Sequence, residues 1–211
     1  MAKVTTTRML LVRSGPTDWD LAGRVQGAAD LPMAPSGEQT VRQMLDAVGP
    51  QALAVVYSAP DEASRETARM LATHAAAKVV VVPEFGEMAL GLWEGLTYED
   101  LERRFCRAGR LFFDDPCGVT APEGEALTVY SGRLIPSFAK VLGKCKPASA
   151  VGMVVRPIAL GLIRCAMNRA DLNELWTMVS DRPTFEWYHV QRDDPRLNQP
   201  PKQPRRPVAA A

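Results

Sequence analysis

Histidine is scarce in this chain, which has 211 residues and only two histidines, His74 and His189. Neither stands near a cysteine at a spacing typical of metal sites, so we expect no metal centre and no cofactor. No apolar run reaches the roughly 18 residues that a membrane-spanning helix needs. The net charge is +1, which gives no general attraction to nucleic acid or to anionic membranes. We therefore expect neither kind of partner.

Cysteine is also sparse, with four residues and no CxxC pair: Cys106, Cys117, Cys145 and Cys165. We expect four reduced thiols in a cytoplasmic protein, with a Cys106–Cys117 disulfide as the alternative. The first residues contain only a short apolar stretch and no small-residue cleavage site. The sequence therefore predicts no secretory signal peptide.

Short apolar runs rich in β-branched residues alternate with longer helical patterns. The runs are continuously apolar, as in strands that a parallel sheet buries on both faces. The predicted strands are 8–12, 54–57, 79–82, 151–155 and 184–190, the last a candidate edge strand. The predicted helices begin at Ser36, with a capping box to Gln39, and then cover 63–73, 98–105, 126–142 and 157–167. This order predicts an α/β fold, a three-layer α/β/α sandwich with a mostly parallel, doubly wound sheet. Ligands in such sheets bind beyond the carboxyl ends of the strands.

The chain shows no internal repeat, and we expect one domain over residues 1–192. The segment 193–211 contains five of the seventeen prolines. Such a segment buries little apolar surface, so we expect a flexible tail there.

Residues 10–27, LLVRSGPTDWDLAGRVQG, resemble the opening of the histidine phosphatase (phosphoglycerate mutase-like) superfamily, where a strand ends in Arg-His-Gly. Further segments resemble that family in the same order along the chain. They are LPMAPSGE at 31–38, VYSAPDEASRETA at 56–68, EMALGLWEGLT at 87–97, APEGE at 121–125, and the strand and helix at 151–165. The resemblance spans roughly residues 8–190 and implies a phosphoglycerate mutase-like fold.

The family's two catalytic histidines have no counterpart in this alignment. Ser14 stands where the family has its phosphorus-attacking histidine. Arg156 stands at the position of the second histidine, and Pro157 follows it where the family usually has glycine. A serine hydroxyl is a poor nucleophile without a base beside it. A guanidinium donates to phosphate but cannot act as a base. Of the two arginines that clamp phosphate in the family, Arg13 is kept and Ala63 replaces the other.

Other positions of the family's site are retained or altered. Glu87 matches the general acid and Gly15 the loop glycine, whereas Asp20 replaces an asparagine and would repel phosphate unless it is paired. Arg65 lies two residues beyond Ala63, about 200° around a helix, so we expect it to face away, although a shifted alignment would bring it into the clamp. The resemblance thus implies ligand-binding positions at Arg13, Ser14, Gly15, Asp20, Glu87 and Arg156.

Each of these residues also has a plainer interpretation. Arg13 and Arg156 either bind an anion or neutralise carboxylates of a pocket that no longer has a function. We expect one of the two guanidinium groups within hydrogen-bond distance of Glu87. We expect both histidines to lie outside the site. Four arginines at positions 103, 104, 107 and 110 are either a solvated face or an overhang that tunes ligand choice.

Three functions follow from the resemblance. We favour a catalytically inactive member, a pseudoenzyme, that binds a small phosphorylated or carboxylated ligand or a protein partner. The second is a weak phosphomonoester hydrolase or phosphoglycerate mutase-like enzyme that uses Arg13, Arg156 and Glu87, with water or Ser14 as the nucleophile. The third is a structural subunit of an assembly.

Overall fold

The computed structural model describes residues 6–180, 184–191 and 194–197. Its centre is a five-stranded sheet in the order β3-β2-β4-β1-β5. The first four strands in the chain run parallel, and β5 lies antiparallel to β1 at one edge. The bounds are β1 Thr7–Arg13, β2 Val55–Ser58, β3 Val79–Val81, β4 Ala150–Val155 and β5 Phe185–Val190. The predicted strands and the edge position of the last one are confirmed.

Seven α-helices are described around this sheet: α1 Asp18–Leu21, α2 Pro35–Val48, α3 Glu62–His74, α4 Tyr98–Asp114, α5 Leu127–Gly143, α6 Pro157–Asn168 and α7 Leu175–Ser180. The predicted capping box at Ser36 is wrong. Pro35 takes the first turn of α2, so Ala34 is the N-cap and makes no side-chain cap. Helix α4 continues past its predicted end at residue 105 through a kink at Cys106, where φ is 34°.

The core consists of two apolar layers, one on each face of the sheet. Along β1, Met9 and Leu11 point into one layer, whereas Leu10 and Val12 point into the other. All four side chains are fully buried. Helices cover both faces, which explains why the strand is apolar at each position from Met9 to Val12.

The carboxyl ends of β1 and β4 bring two distant parts of the chain together. Arg13 pairs with Val155 in the parallel ladder, and the Ser14 amide donates to the Val155 carbonyl at 2.9 Å. Ser14 and Arg156 therefore leave the sheet side by side. This is the edge at which α/β sheets bind ligands.

The packed part of the chain continues past the predicted domain boundary at residue 192. Leu197 is 4% exposed and belongs to the core, and Arg196 pairs with the buried Asp194 at 2.6 Å. Most of the predicted tail, 198–211, lies outside the described residues, and its flexibility stays a prediction. Among the helices described, none is long and apolar enough to cross a membrane.

Candidate functional site

The two residues that leave the sheet together, Ser14 and Arg156, contact each other. Arg156 Nη1 donates to Ser14 Oγ at 3.3 Å. Both residues are buried, since Arg156 is 2% exposed and Ser14 is 4% exposed. Within the described chain, no other hydrogen bond of the Ser14 hydroxyl is found. A guanidinium does not accept protons, so the hydrogen-bond partner of this hydroxyl among the described residues is not a general base.

Arg156 uses its two terminal nitrogens to hold the carboxylate of Asp20. Nη1 lies 3.1 Å from Oδ2 and Nη2 lies 3.1 Å from Oδ1, the paired geometry that a guanidinium fork makes with a carboxylate. Nη2 also donates to Gln26 Oε1 at 2.5 Å. Burial by itself raises the pKa of Asp20, but the charge of Arg156 and hydrogen bonds from Thr17 more than offset it, so this pKa lies below its usual value. Asp20 is therefore an ionised partner of Arg156 at neutral pH.

The position of Asp20 depends on a short N-terminal capping box in α1. The Thr17 amide donates to Asp20 Oδ2 at 2.8 Å, and the Asp20 amide donates to Thr17 Oγ1 at 3.2 Å. Thr17 Oγ1 also lies 2.6 Å from Gln26 Oε1. One carboxylate thus caps the helix and binds the arginine.

Glu87 occupies a separate anion site at the start of α6. Its carboxylate accepts from the Ile158 amide at 2.8 Å and the Ala159 amide at 3.1 Å. It also accepts from the Tyr130 hydroxyl at 2.8 Å and from the Met88 amide at 3.0 Å. Burial raises the pKa of Glu87, and these donors and the charge of Arg156 oppose that rise. The first-turn amides of a helix are a natural position for a carboxylate.

The predicted hydrogen bond between an arginine and the Glu87 carboxylate is wrong. The fork of Arg156 faces Asp20, and Glu87 is already satisfied by helix amides and a phenol. Arg13 is half-buried, and its guanidinium makes no hydrogen bond or ion pair with any described residue. Burial lowers the pKa of Arg13, the charge of Asp20 raises it, and the charge of Arg156 lowers it. Arg13 is thus a guanidinium near this pair that keeps its donors available.

The position that the resemblance matches to the second clamp arginine holds Ala63 and no charge. Ala63 is fully buried on α3. Arg65 is absent from the lining of the cavities that border Ser14 and Arg156. That Arg65 faces away from the pocket stays a prediction. Gly15 is closely packed, because a Cβ there would lie 2.2 Å from Met33 Sδ and 2.9 Å from Val41 Cγ2, so these side chains would have to shift.

Neither histidine lies in this site. His74 Nε2 contacts the Gly49 carbonyl at 2.9 Å near the end of α3. His189 is exposed on β5 and pairs with Arg8 near the start of β1. Arg13 lies five positions along the strand from Arg8, about 17 Å at the usual rise. Both predictions for the histidines are confirmed.

Comparison with known proteins decides the family. Residues 9–200 match the model of the histidine phosphatase superfamily (branch 1). The chain belongs to this superfamily. It is 23% identical to phosphoserine phosphatase 1 of Hydrogenobacter thermophilus over 184 residues, 87% of each chain. It is 27% identical to the uncharacterized phosphatase PhoE of Bacillus subtilis over 165 residues, 78% of this chain and 79% of that one.

Solved structures of the superfamily share the fold. YhfR of Bacillus stearothermophilus superposes with a TM-score of 0.76 at 20% identity, covering 90% of this chain and 99% of that one. The mycobacterial glucosyl-3-phosphoglycerate phosphatase Rv2419c gives a TM-score of 0.70 at 18% identity, covering 88% and 98%. The predicted phosphoglycerate mutase-like fold is thereby confirmed.

Two cavities of this superfamily member share Arg156 and Glu87 as wall residues. The first has an aromatic wall of Tyr98, Phe112 and Trp176. The second is lined mostly by small residues with two further carboxylates: Gly27, Ala28, Ala29, Asp30, Pro60, Asp61 and Gly86. Among the described residues no cluster of His, Cys, Asp or Glu is suited to hold a metal ion.

Sequence reasoning missed three residues that shape the site. Tyr130 donates to Glu87, and Thr17 and Gln26 orient the Asp20–Arg156 pair. Tyr130 looks like an ordinary core residue of α5 in the sequence, since its position fits the apolar face. The capping-box spacing from Thr17 to Asp20 was the one available signal.

Proposed function

We propose that this superfamily member does not transfer phosphoryl groups through a histidine and that its pocket binds a small oxyanion without turning it over. The observation that carries the proposal is the contact between Ser14 and Arg156 at the two strand ends. The resemblance assigns these two positions to the catalytic histidines. Such a chain is a pseudoenzyme of the superfamily.

The chemistry supports this assignment. Attack on phosphorus needs a lone pair held in line with the leaving oxygen, and the family obtains it from a neutral imidazole. The hydroxyl of Ser14 has Arg156 beside it instead of a base, so its proton has no acceptor. Removing one transition-state donor typically costs about 10²–10³ in rate. Here the nucleophile, the second histidine and one clamp arginine are all replaced.

The same residues support anion binding. Arg13 has an uncommitted guanidinium, and Arg156 Nε is buried without a partner among the described residues. Arginine binds carboxylate and phosphate through paired hydrogen bonds. Burial and the positive charge of Arg156 both lower the pKa of Arg13, and an oxyanion bound near both arginines would reduce the repulsion between them.

Phosphomonoester hydrolysis is the second candidate function. The names of the relatives favour it, because they include a phosphoserine phosphatase of Hydrogenobacter thermophilus and a metal-independent phosphoserine phosphatase of Arabidopsis thaliana. Glu87 favours it too, since it is buried, lines both cavities and has a raised pKa. In that case Glu87 would protonate the leaving oxygen while water attacks phosphorus.

Hydrolysis of p-nitrophenyl phosphate between pH 4 and 8 separates the two functions. We expect the natural chain to stay at the background rate. The combined change Ser14→His, Ala63→Arg and Arg156→His should raise the rate above that background. Turnover by the natural chain that Glu87→Gln abolishes would establish the hydrolase and refute the binding-only function.

A further inference from the structure

The carboxylate of Asp20 occupies the position that an oxyanion ligand would take on Arg156. We propose that Asp20 is an internal ligand of this pocket, and that an external carboxylate or phosphate group binds by replacing it as α1 moves away. Helix α1 then acts as an autoinhibitory latch. This inference rests on the proposed binding function and deepens it, since it names what controls access to the site.

The geometry of the pair is that of a bound ligand. Both carboxylate oxygens of Asp20 lie 3.1 Å from the two terminal nitrogens of Arg156. A guanidinium fork makes the same pair of bonds with a free carboxylate or with two oxygens of a phosphate. Because Arg156 is 2% exposed, its charge must stay paired. The internal and external anions therefore compete for the same two nitrogens.

Movement of α1 would leave the buried N-cap residue Thr17 in place and would separate the Trp19 ring from Gly95. None of the four residues of α1 is buried, and Leu21 is 58% exposed. Beyond α1, Gly23 has a φ of 63° and no atom within 4 Å of the position of a Cβ, so this turn has room to rearrange. The contacts of Asp20 are polar, and water or an incoming anion can replace them.

Departure of Asp20 would uncover a set of donors that a ligand could share. Arg156 would regain two terminal nitrogens, and its Nε is already without a partner among the described residues. Arg13 is close enough to Asp20 for that charge to affect its pKa. Ser14 Oγ lies beside Arg156 at 3.3 Å. The Arg156 guanidinium and the Ser14 hydroxyl would then face the anion, and the positive charge of Arg13 would lie close by.

The latch predicts a definite effect of neutralising Asp20. Apparent affinity falls in proportion to the fraction of molecules in the open state. Asp20→Asn removes the competing charge, and we expect a gain of about tenfold or more in affinity. Asp18 is exposed on the same short helix and lies outside the lining of both cavities, so Asp18→Asn is the matched control.

Calorimetric titration of the full chain with inorganic phosphate, and separately with acetate, at constant ionic strength tests the inference. Asp20→Asn should bind at least one of the two anions about tenfold more tightly than the natural chain and the control. Adding Arg156→Gln to Asp20→Asn should remove that gain. Thermal unfolding checks that each variant is folded. If Asp20→Asn does not fold, Asp20→Ser replaces it in the same titrations. The preferred anion tells a phosphorylated ligand from a carboxylated one.

Equal affinity of the natural chain and the folded Asp20 variant would overturn the latch, and so would the absence of binding by both. The proposed function fails on a different observation, which is hydrolysis of p-nitrophenyl phosphate by the natural chain. A phosphatase that gains affinity through Asp20→Asn would refute the binding-only function and leave the latch standing.

Discussion

Removal of the Tyr130 hydroxyl is expected to lower the free energy of unfolding by about 1.5–3 kcal/mol, the usual contribution of a hydrogen bond to a charged group. Tyr130 is fully buried, and its hydroxyl donates to Glu87 Oε1 at 2.8 Å. Tyr130→Phe deletes one of the donors that satisfy a buried carboxylate and adds no bulk. The remaining donors are backbone amides, which cannot move to replace it.

Urea unfolding at pH 7 measures this effect. With a slope of about 2 kcal/mol per molar urea, the midpoint should fall by about 1 M. Tyr98→Phe is the matched control, because Tyr98 is 47% exposed and its hydroxyl makes no hydrogen bond to a described residue. A Tyr130→Phe midpoint equal to that of Tyr98→Phe would show that the phenol does not stabilise the Glu87 charge, and the reasoning would be refuted.

Two further predictions concern pH and backbone shape. Burial raises the pKa of Glu87 in the folded protein, so the folded state binds the proton of this carboxyl more tightly than the unfolded state does. The free energy of unfolding should therefore fall as the pH rises from the usual glutamate range through the raised pKa. Glu87→Gln should flatten that part of a plot of melting temperature against pH. Gly91→Ala should destabilise the fold by about 2 kcal/mol or more, since φ is 48° and a Cβ would lie 2.2 Å from the Pro122 carbonyl oxygen. Gly23→Ala is the control, because Gly23 has a similar φ and open space around it. In chemical unfolding it should lower the free energy of unfolding by less than Gly91→Ala does.

The sequence alone was sufficient to predict the strands of the sheet and the edge of the sheet at which the site lies. Continuous apolar runs such as that of β1 identify strands buried on both faces, and the parallel pairing of β1 with β4 then places Ser14 beside Arg156. These conclusions depend on local pattern and on general rules of α/β folds.

The pairing of charges within the site could not be predicted in the same way. Arg156 and Asp20 are 136 positions apart, and which carboxylate the guanidinium reaches depends on distances of a few ångströms. Glu87 was the expected partner, but the amides of α6 already hold it. Helix α1 is only four residues long, so it has no apolar periodicity that would reveal it or the direction of its acidic side chain.

Pro157 limits how readily this pocket can be returned to phosphatase chemistry. A proline restricts the residue before it to extended conformations, and Arg156 accordingly has φ −76° and ψ 167°. Proline also has no amide hydrogen, so the first turn of α6 offers one donor fewer than it would with the glycine usual in the superfamily. A histidine introduced at position 156 would therefore inherit a fixed backbone, and adding Pro157→Gly to the three side-chain changes should raise the restored rate further.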